Sequence, residues 1–351
     1  MLFLLPPQGR HGELGVNSLQ ESGASDSVRK EFMMRAHSHP IGTLESGMIG
    51  RIPPHALLLA GSLRTARATP LAQALGIPVS ALPIDASHSS LGVLLDQVLA
   101  GSHVSGVGIA VSDAAEQHLY ERVAFESGHE GRVRVWVDRQ PHRGPGGTVR
   151  DYCDDELPNG SGGGVLVIEC SSYCELDFGA LIPQIDASAD ATVFATRDLR
   201  PLGVIHLASR SVDRLPKVGF YDIKQQLLRS IGESGGRVLP LCVDVESWRI
   251  QDISSYLSLI SHRALLGETM RSARALIDPT SVVQGTTLIA RDVVIKADAF
   301  ICDSAILPSA VVGKGAIIAR SVIPPGARVP AGAHVVDQVY ATLASATEEH
   351  E

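Results

Sequence analysis

The sequence predicts an α/β protein in two parts, a doubly wound, mostly parallel sheet followed by a parallel coil of short β sides. Two observations carry that reading. From Leu57 to Val243 apolar runs alternate with stretches of helical apolar spacing, the pattern that lays helices over both faces of a parallel sheet. From Ile277 to Val335 an aliphatic residue recurs every five or six positions. That period suits neither a helix nor a strand, but it suits a coil whose short sides each point one aliphatic into a shared core.

The apolar runs place strands at 57–60, 106–111, 132–137, 164–169, 191–195, 203–207 and 238–243, with helices over 91–99, 114–125, 178–185, 223–231 and 254–259. In the second part the recurring aliphatics are Ile277, Val283, Ile289, Ile295, Ile301, Leu307, Val312, Ile318, Ile323, Val329 and Val335, which make eleven sides. Most follow a small or β-branched residue two places earlier, as Ala299, Ala310 and Ala316 do. One side buries too little apolar surface to stand alone, so stacking supplies the stability. Two spacings of five, Leu307 to Val312 and Ile318 to Ile323, predict irregular corners. The segment resembles the left-handed parallel β-helix of hexapeptide-repeat proteins.

The plan that follows begins with an extension over 1–48, rich in Ser, Gly, Glu and His and expected to be disordered, with Met33, Met34 and Met48 as alternative starts. An α/β domain over 49–261 comes next, then a connecting helix over 262–275 whose arginines are expected in solvent. A β-helix over 276–338 and a tail over 339–351 complete the chain.

Hydrophobic content of 44% and charged content of 19% describe a soluble globular chain. No apolar run approaches the roughly 20 residues that span a bilayer, so no membrane insertion is expected. The opening MLFLLPP has no basic residues ahead of its apolar run, which leaves the cytoplasm as the expected compartment. A net charge of −8 without a basic stripe argues against a nucleic-acid surface. Cys153, Cys170, Cys174, Cys242 and Cys302 are too scattered for a disulfide framework and read as buried thiols, and Cys170 and Cys174 lack the further ligands of a zinc site. His334, the one histidine of the repeats, reads as a surface residue rather than an acyltransferase base. No Gly-x-Ser-x-Gly elbow occurs, and the run Gly162 to Gly164 lacks the lysine of a P-loop.

Ligands of such sheets bind beyond the carboxyl ends of the strands. There the first strand opens into LLLAGSLRTARATPL (57–71), with Gly61, Arg64 and Arg67. Close approach at a glycine and guanidinium forks suit a triphosphate. GPGGTVRD (144–151) is a Gly-rich turn entering a helix, and PKVGFYDIKQQLLRSI (216–231) and SWRIQDISSYLSL (247–259) follow. In this order, ahead of a hexapeptide coil, these segments resemble the sugar-phosphate nucleotidyltransferases, such as the mannose-1-phosphate guanylyltransferases and glucose-1-phosphate uridylyltransferases, over residues 55–337.

The resemblance implies a nucleotide-diphospho-sugar transferase-like sheet and attack by a sugar-1-phosphate oxygen on the α-phosphorus of a nucleoside triphosphate, with release of pyrophosphate. Such displacement needs positioning and charge neutralisation. It implies nucleotide or sugar binding at Gly61, Arg64, Gly146 and Gly147, with Arg64 also the candidate catalytic cation. Mg²⁺ would be held at Asp252, with Glu169 the candidate second ligand. The implied partners are a nucleoside triphosphate and a sugar-1-phosphate, or a nucleotide-sugar, and a homo-oligomer or a hetero-oligomer with an active paralogue.

The chain departs from the family pattern at four places. Ser62 and Leu63 fill glycine positions of the first loop, 74–79 has no lysine, and Val165 to Ile168 runs into Glu169, Cys170, Ser171 and Ser172 where an aspartate is expected. The stretch from Thr192 to Gly203 is too short for a sugar-phosphate hairpin, and Lys224 reads as part of a solvated helix face. Two functions are compatible with this pattern: an enzyme of nucleotide-sugar synthesis, and a catalytically inactive paralogue that binds nucleotide-sugar as a sensor or a regulatory or scaffold subunit.

Overall fold

The computed structural model describes residues 52–60, 68–157, 160 and 162–341. The extension over 1–48, the loop residues Gly61, Arg64 and Arg67, and the end of the tail lie outside them. The chain forms a mixed α/β protein with a parallel-dominated central sheet and a C-terminal run of short parallel strands.

The strands before the coil are β1 (His55–Leu59), β2 (Val107–Val111), β3 (Val133–Val137), β4 (Val165–Glu169), β5 (Ser172–Cys174), β6 (Ala191–Thr196), β7 (Pro201–Leu207), β8 (Val238–Val243) and β9 (Ser247–Arg249). Seven of them make the central sheet in the order β3-β2-β1-β4-β7-β6-β8, while β5 and β9 pair as a separate antiparallel ribbon. Only β7 breaks the parallel run, antiparallel to both β4 and β6. All seven expected strands are present within two residues of their expected bounds. In the inner strands the near-continuous apolar runs follow from burial on both faces: every residue of β2 is buried, as are Val165 to Ile168 of β4.

The helices are α1 (Pro70–Leu75), α2 (Ser90–Leu99), α3 (Ala114–Glu126), α4 (Gly144–Glu156), α5 (Leu228–Glu233) and α6 (Ile253–Leu265), of which α2 and α3 pack on the central sheet while α1 and α6 pack against the β5–β9 ribbon and the coil. Their starts are chemically marked: Thr69 Oγ1 accepts from Ala72 N with Pro70 opening α1, and Asp113 Oδ1 accepts from Glu116 N at α3. The helix expected over 178–185 is a single α turn followed by a 3₁₀ turn over Ile182–Gln184, where Pro183 has no N–H to continue the ladder. The connecting helix expected over 262–275 lies earlier. Helix α6 stops at Leu265, and Gly267 then takes a left-handed φ of +88° that ends it.

The coil consists of β10 (Leu276–Ile277), β11 (Val282–Gln284), β12 (Leu288–Ile289), β13 (Val294–Ile295), β14 (Phe300–Cys302), β15 (Ala305–Ile306), β16 (Val311–Val312), β17 (Ile317–Ala319), β18 (Val322–Ile323), β19 (Arg328–Val329) and β20 (His334–Val336). Successive strands enter successive sheets, β10-β13-β16-β19, β11-β14-β17-β20 and β12-β15-β18, so the chain winds around three parallel sides. Val294 pairs with Val311 and Val311 with Arg328, a turn of 17 residues. The first turn, Leu276 to Val294, has 18. Corners stack in columns of left-handed residues: Asp292, Ser309 and Gly326; Asp298, Gly315 and Gly332; Gly285, Asp303, Arg320 and Asp337.

One expectation is corrected here. Ile306, paired with Ile289 and Ile323, is the inward residue of its side, and Leu307 points outward. The two five-residue steps, Ile301 to Ile306 and Ile318 to Ile323, therefore fall at one corner column, at Asp303 and Arg320. Leu307 faces out because that side is covered. Leu288, Ala305, Leu307 and Val322 share a core with Leu71, Leu82 and Ile84 and with Tyr256, Leu259 and Ile260 of α6. The alternation of β12, β15 and β18 thus buries one set of side chains inside the coil and the other against the α/β part. Among the described residues no helix is long and apolar enough to cross a membrane.

Candidate ligand crevice at the end of the central strand

The strand order reverses direction at β1: the chain proceeds to β2 on one side, while β4 lies on the other. The region beyond the carboxyl ends of β1 and β4 is therefore the switch point at which open α/β sheets take ligands in a crevice. Residues 61–67, with Gly61, Arg64 and Arg67, follow β1 in the sequence and lie outside the described residues. Glu169 ends β4. Opposite it on β7 stands Gly203, where a methyl would come within 3.3 Å of Glu169 Cβ, so the missing side chain gives the carboxylate room.

Glu169 is held by Lys224, whose Nζ lies 2.7 Å from Oε1 and 2.9 Å from Oε2. Lys224 is exposed on its helix face, as expected, with its ammonium turned to Glu169. It sits on a π-helical turn, Ile223–Leu227, capped by Asp222 Oδ1 accepting from Gln225 N at 2.9 Å and anchored by buried Ile223 and Leu227. Such widened turns re-aim side chains and recur at functional sites.

Gly146 and Gly147 lie in the first turn of α4, both buried. Their backbone is already covered by the chain itself. Gly146 N donates to Tyr221 O at 2.9 Å, and Tyr221 N donates to Arg143 O at 2.8 Å. A methyl at Gly146 would stand 2.9 Å from Tyr221 O, and one at Gly147 2.3 Å from Arg143 Cβ. Arg143 is buried, paired with Asp151 and donating from Nη2 to Pro216 O at 2.6 Å. The chain itself therefore covers both glycines, Tyr221 lying beside Gly146 and Arg143 beside Gly147.

Asp252 reaches the same end of the sheet through the β5–β9 ribbon, with Ile250 N donating to Ser171 O at 3.1 Å. Its Oδ1 caps α6, accepting from Ser255 N and Ser255 Oγ, both at 2.8 Å. The reciprocal bond from Asp252 N to Ser255 Oγ completes a capping box. The Ser255 backbone and hydroxyl hold the carboxyl below the usual carboxylate range.

With Glu169 neutralised by Lys224 and Oδ1 of Asp252 committed to the helix, the donor set does not fit Mg²⁺. Among the described residues no three His, Cys, Asp or Glu side chains converge as a metal site.

A second polar centre went unseen in the sequence. Arg263 on α6, expected in solvent, is 6% exposed. Its Nη2 lies 2.8 Å from Asp85 Oδ2 and 3.1 Å from Glu268 Oε1, and its Nη1 lies 3.1 Å from both Glu175 Oε1 and Tyr173 Oη. An open groove of about 470 Å³ beside it is walled by Glu175, Asp177 and Glu268. The guanidinium fork is already engaged by three carboxylates, so this groove repels phosphate.

Among the cysteines, Cys153, Cys170 and Cys174 are buried as expected, and burial pushes the Cys174 thiol up to about 12. Cys242 is exposed, contrary to expectation, because β8 lies at the sheet edge. His334 is exposed on β20, as expected. No protein-family model matches the chain, and none of the curated proteins searched matches it.

Proposed function

We propose that the chain works in nucleotide-sugar metabolism as a relative of the sugar-phosphate nucleotidyltransferases that binds nucleotide-sugar without turning it over, as a sensor or regulatory subunit. The observation that carries this reading is the ion pair of Glu169 and Lys224 at the switch point of the sheet. The crevice keeps its place and a cation for phosphate, while the carboxylates that would organise Mg²⁺ are engaged by the protein itself. Supporting it are the sequence that follows β1, with Gly61 and Arg64, and the four departures from the family pattern.

The turnover reading draws on one feature, the position of Glu169 and Asp252 at the same end of the sheet, joined by the β5–β9 ribbon. In both readings the coil is a left-handed β-helix that supports a homo-oligomer or an assembly with an active paralogue, and the compartment is the cytoplasm. The deciding experiment measures pyrophosphate release with Mg²⁺, each common nucleoside triphosphate and a panel of sugar-1-phosphates, alongside thermal-shift binding of nucleotide-sugars. Binding without turnover is the expected outcome. Turnover that Asp252→Ala abolishes would instead establish a transferase.

A further inference from the structure

We infer that the Lys224 ammonium stands in for a divalent cation at the end of β4, so that the crevice takes a phosphate-bearing ligand without metal. The inference rests on the proposed reading of the crevice as a nucleotide-sugar site and names how that site neutralises phosphate.

Lys224 Nζ sits 2.7 and 2.9 Å from the two oxygens of Glu169, the bidentate face a carboxylate turns to a metal ion. An ammonium carries three donors, and Lys224 hydrogen-bonds Glu169 Oε2 while Oε1 lies in ion-pair contact. Among the described residues the ammonium has no partner besides Glu169, and Lys224 is partly exposed at the end of β4. The ammonium can therefore bridge a carboxylate on one side and a phosphate oxygen on the other, as a divalent ion does.

Charge points the same way. The pair is neutral, so neither a metal nor a phosphate meets a net attraction at long range, but a metal approaching Glu169 must displace the ammonium. An anionic phosphate needs to displace nothing. Being half-exposed, the pair is weak enough to adjust to a ligand. The anchoring of Lys224 is specific, since buried Ile223 and Leu227 fix the π-helical turn on both sides of its stem and the Asp222 cap fixes its start.

The test uses the full-length protein. Isothermal titration with inorganic pyrophosphate, UDP-glucose and GDP-mannose is run in EDTA and again in Mg²⁺, and Mn²⁺ binding is read by electron paramagnetic resonance. The wild type is expected to bind at least one of these probes equally within about twofold in both buffers, and to bind no Mn²⁺ at Glu169. Lys224→Met should weaken that binding by about tenfold or more in EDTA and create a Mn²⁺ site, which Lys224→Met combined with Glu169→Gln removes. Glu169→Gln should keep metal-independent binding because it leaves the ammonium in place. If Lys224→Met does not fold, Lys224→Gln carries the same two expectations. Wild-type binding that requires Mg²⁺, or loss of binding in Glu169→Gln, overturns the inference and leaves the functional reading standing. Failure of every probe in both buffers overturns the functional reading itself.

Discussion

Arg263 is the side chain whose loss this fold should tolerate least. It neutralises Asp85, which is 2% exposed, so truncation would leave a buried carboxylate without its counter-charge. Arg263→Met should cost about 3–5 kcal/mol in urea unfolding at neutral pH. Burial pushes the Asp85 carboxyl up, but the Arg263 fork, the Ser87 and His88 amides and the His88 ring together hold it below the usual carboxylate range. Such a depressed folded value stabilises the protein above the unfolded pKa and ceases to do so as pH falls through the folded one. Wild-type stability should thus decline below about pH 4, and the penalty of Arg263→Met should shrink over that range. A penalty independent of pH would mean that packing of the arginine stem, not its charge, matters. Asp252→Ala should cost about 1 kcal/mol through loss of the α6 cap, equally in Mg²⁺ and EDTA. A loss seen only with Mg²⁺ would restore the metal role to this residue. Neither ion pair could be read from the sequence, since Arg263 and Asp85 are 178 positions apart and Lys224 and Glu169 are 55 apart, and no local periodicity encodes such meetings.

Among the secondary elements, the seven sheet strands and the coil were legible because their apolar patterns run long enough to define a period. The β5–β9 ribbon was not, being three residues on each side, although it brings Asp252 to the crevice. The glycines of α4 were visible, but their purpose was hidden because Tyr221 and Arg143 fill the space beside them. Gly147→Ala should therefore destabilise by about 1–3 kcal/mol through overpacking against Arg143, measured by urea titration. A neutral result would mean the space beside the helix is open to a ligand after all. The coil corners offer a contrasting case. A methyl at Gly315 would meet nothing within 4 Å, yet φ is +66°. Gly315→Ala should still cost about 1–2 kcal/mol, and that cost would be purely backbone.

At the level of the whole molecule, the shared core makes the coil and the α/β part interdependent. Leu288→Ala removes a fully buried side chain from that core and should cost about 2–5 kcal/mol while melting remains a single transition. Two separated calorimetric transitions would show instead that the parts unfold independently. The expectation of a separate repeat domain followed from periodicity, which registers the inward aliphatics and is blind to what covers the outer face. The stacked corners also fix how this chain can change in length. Because Val311 lies directly beneath Arg328, duplicating the 17 residues 311–327 would add one layer of about 4.8 Å with every corner still in its column. Adding five or six would instead rotate all later sides by one face and misalign the columns. The coil is graduated like a ruler, and only whole divisions can be inserted or removed without disturbing what is fastened along its edge.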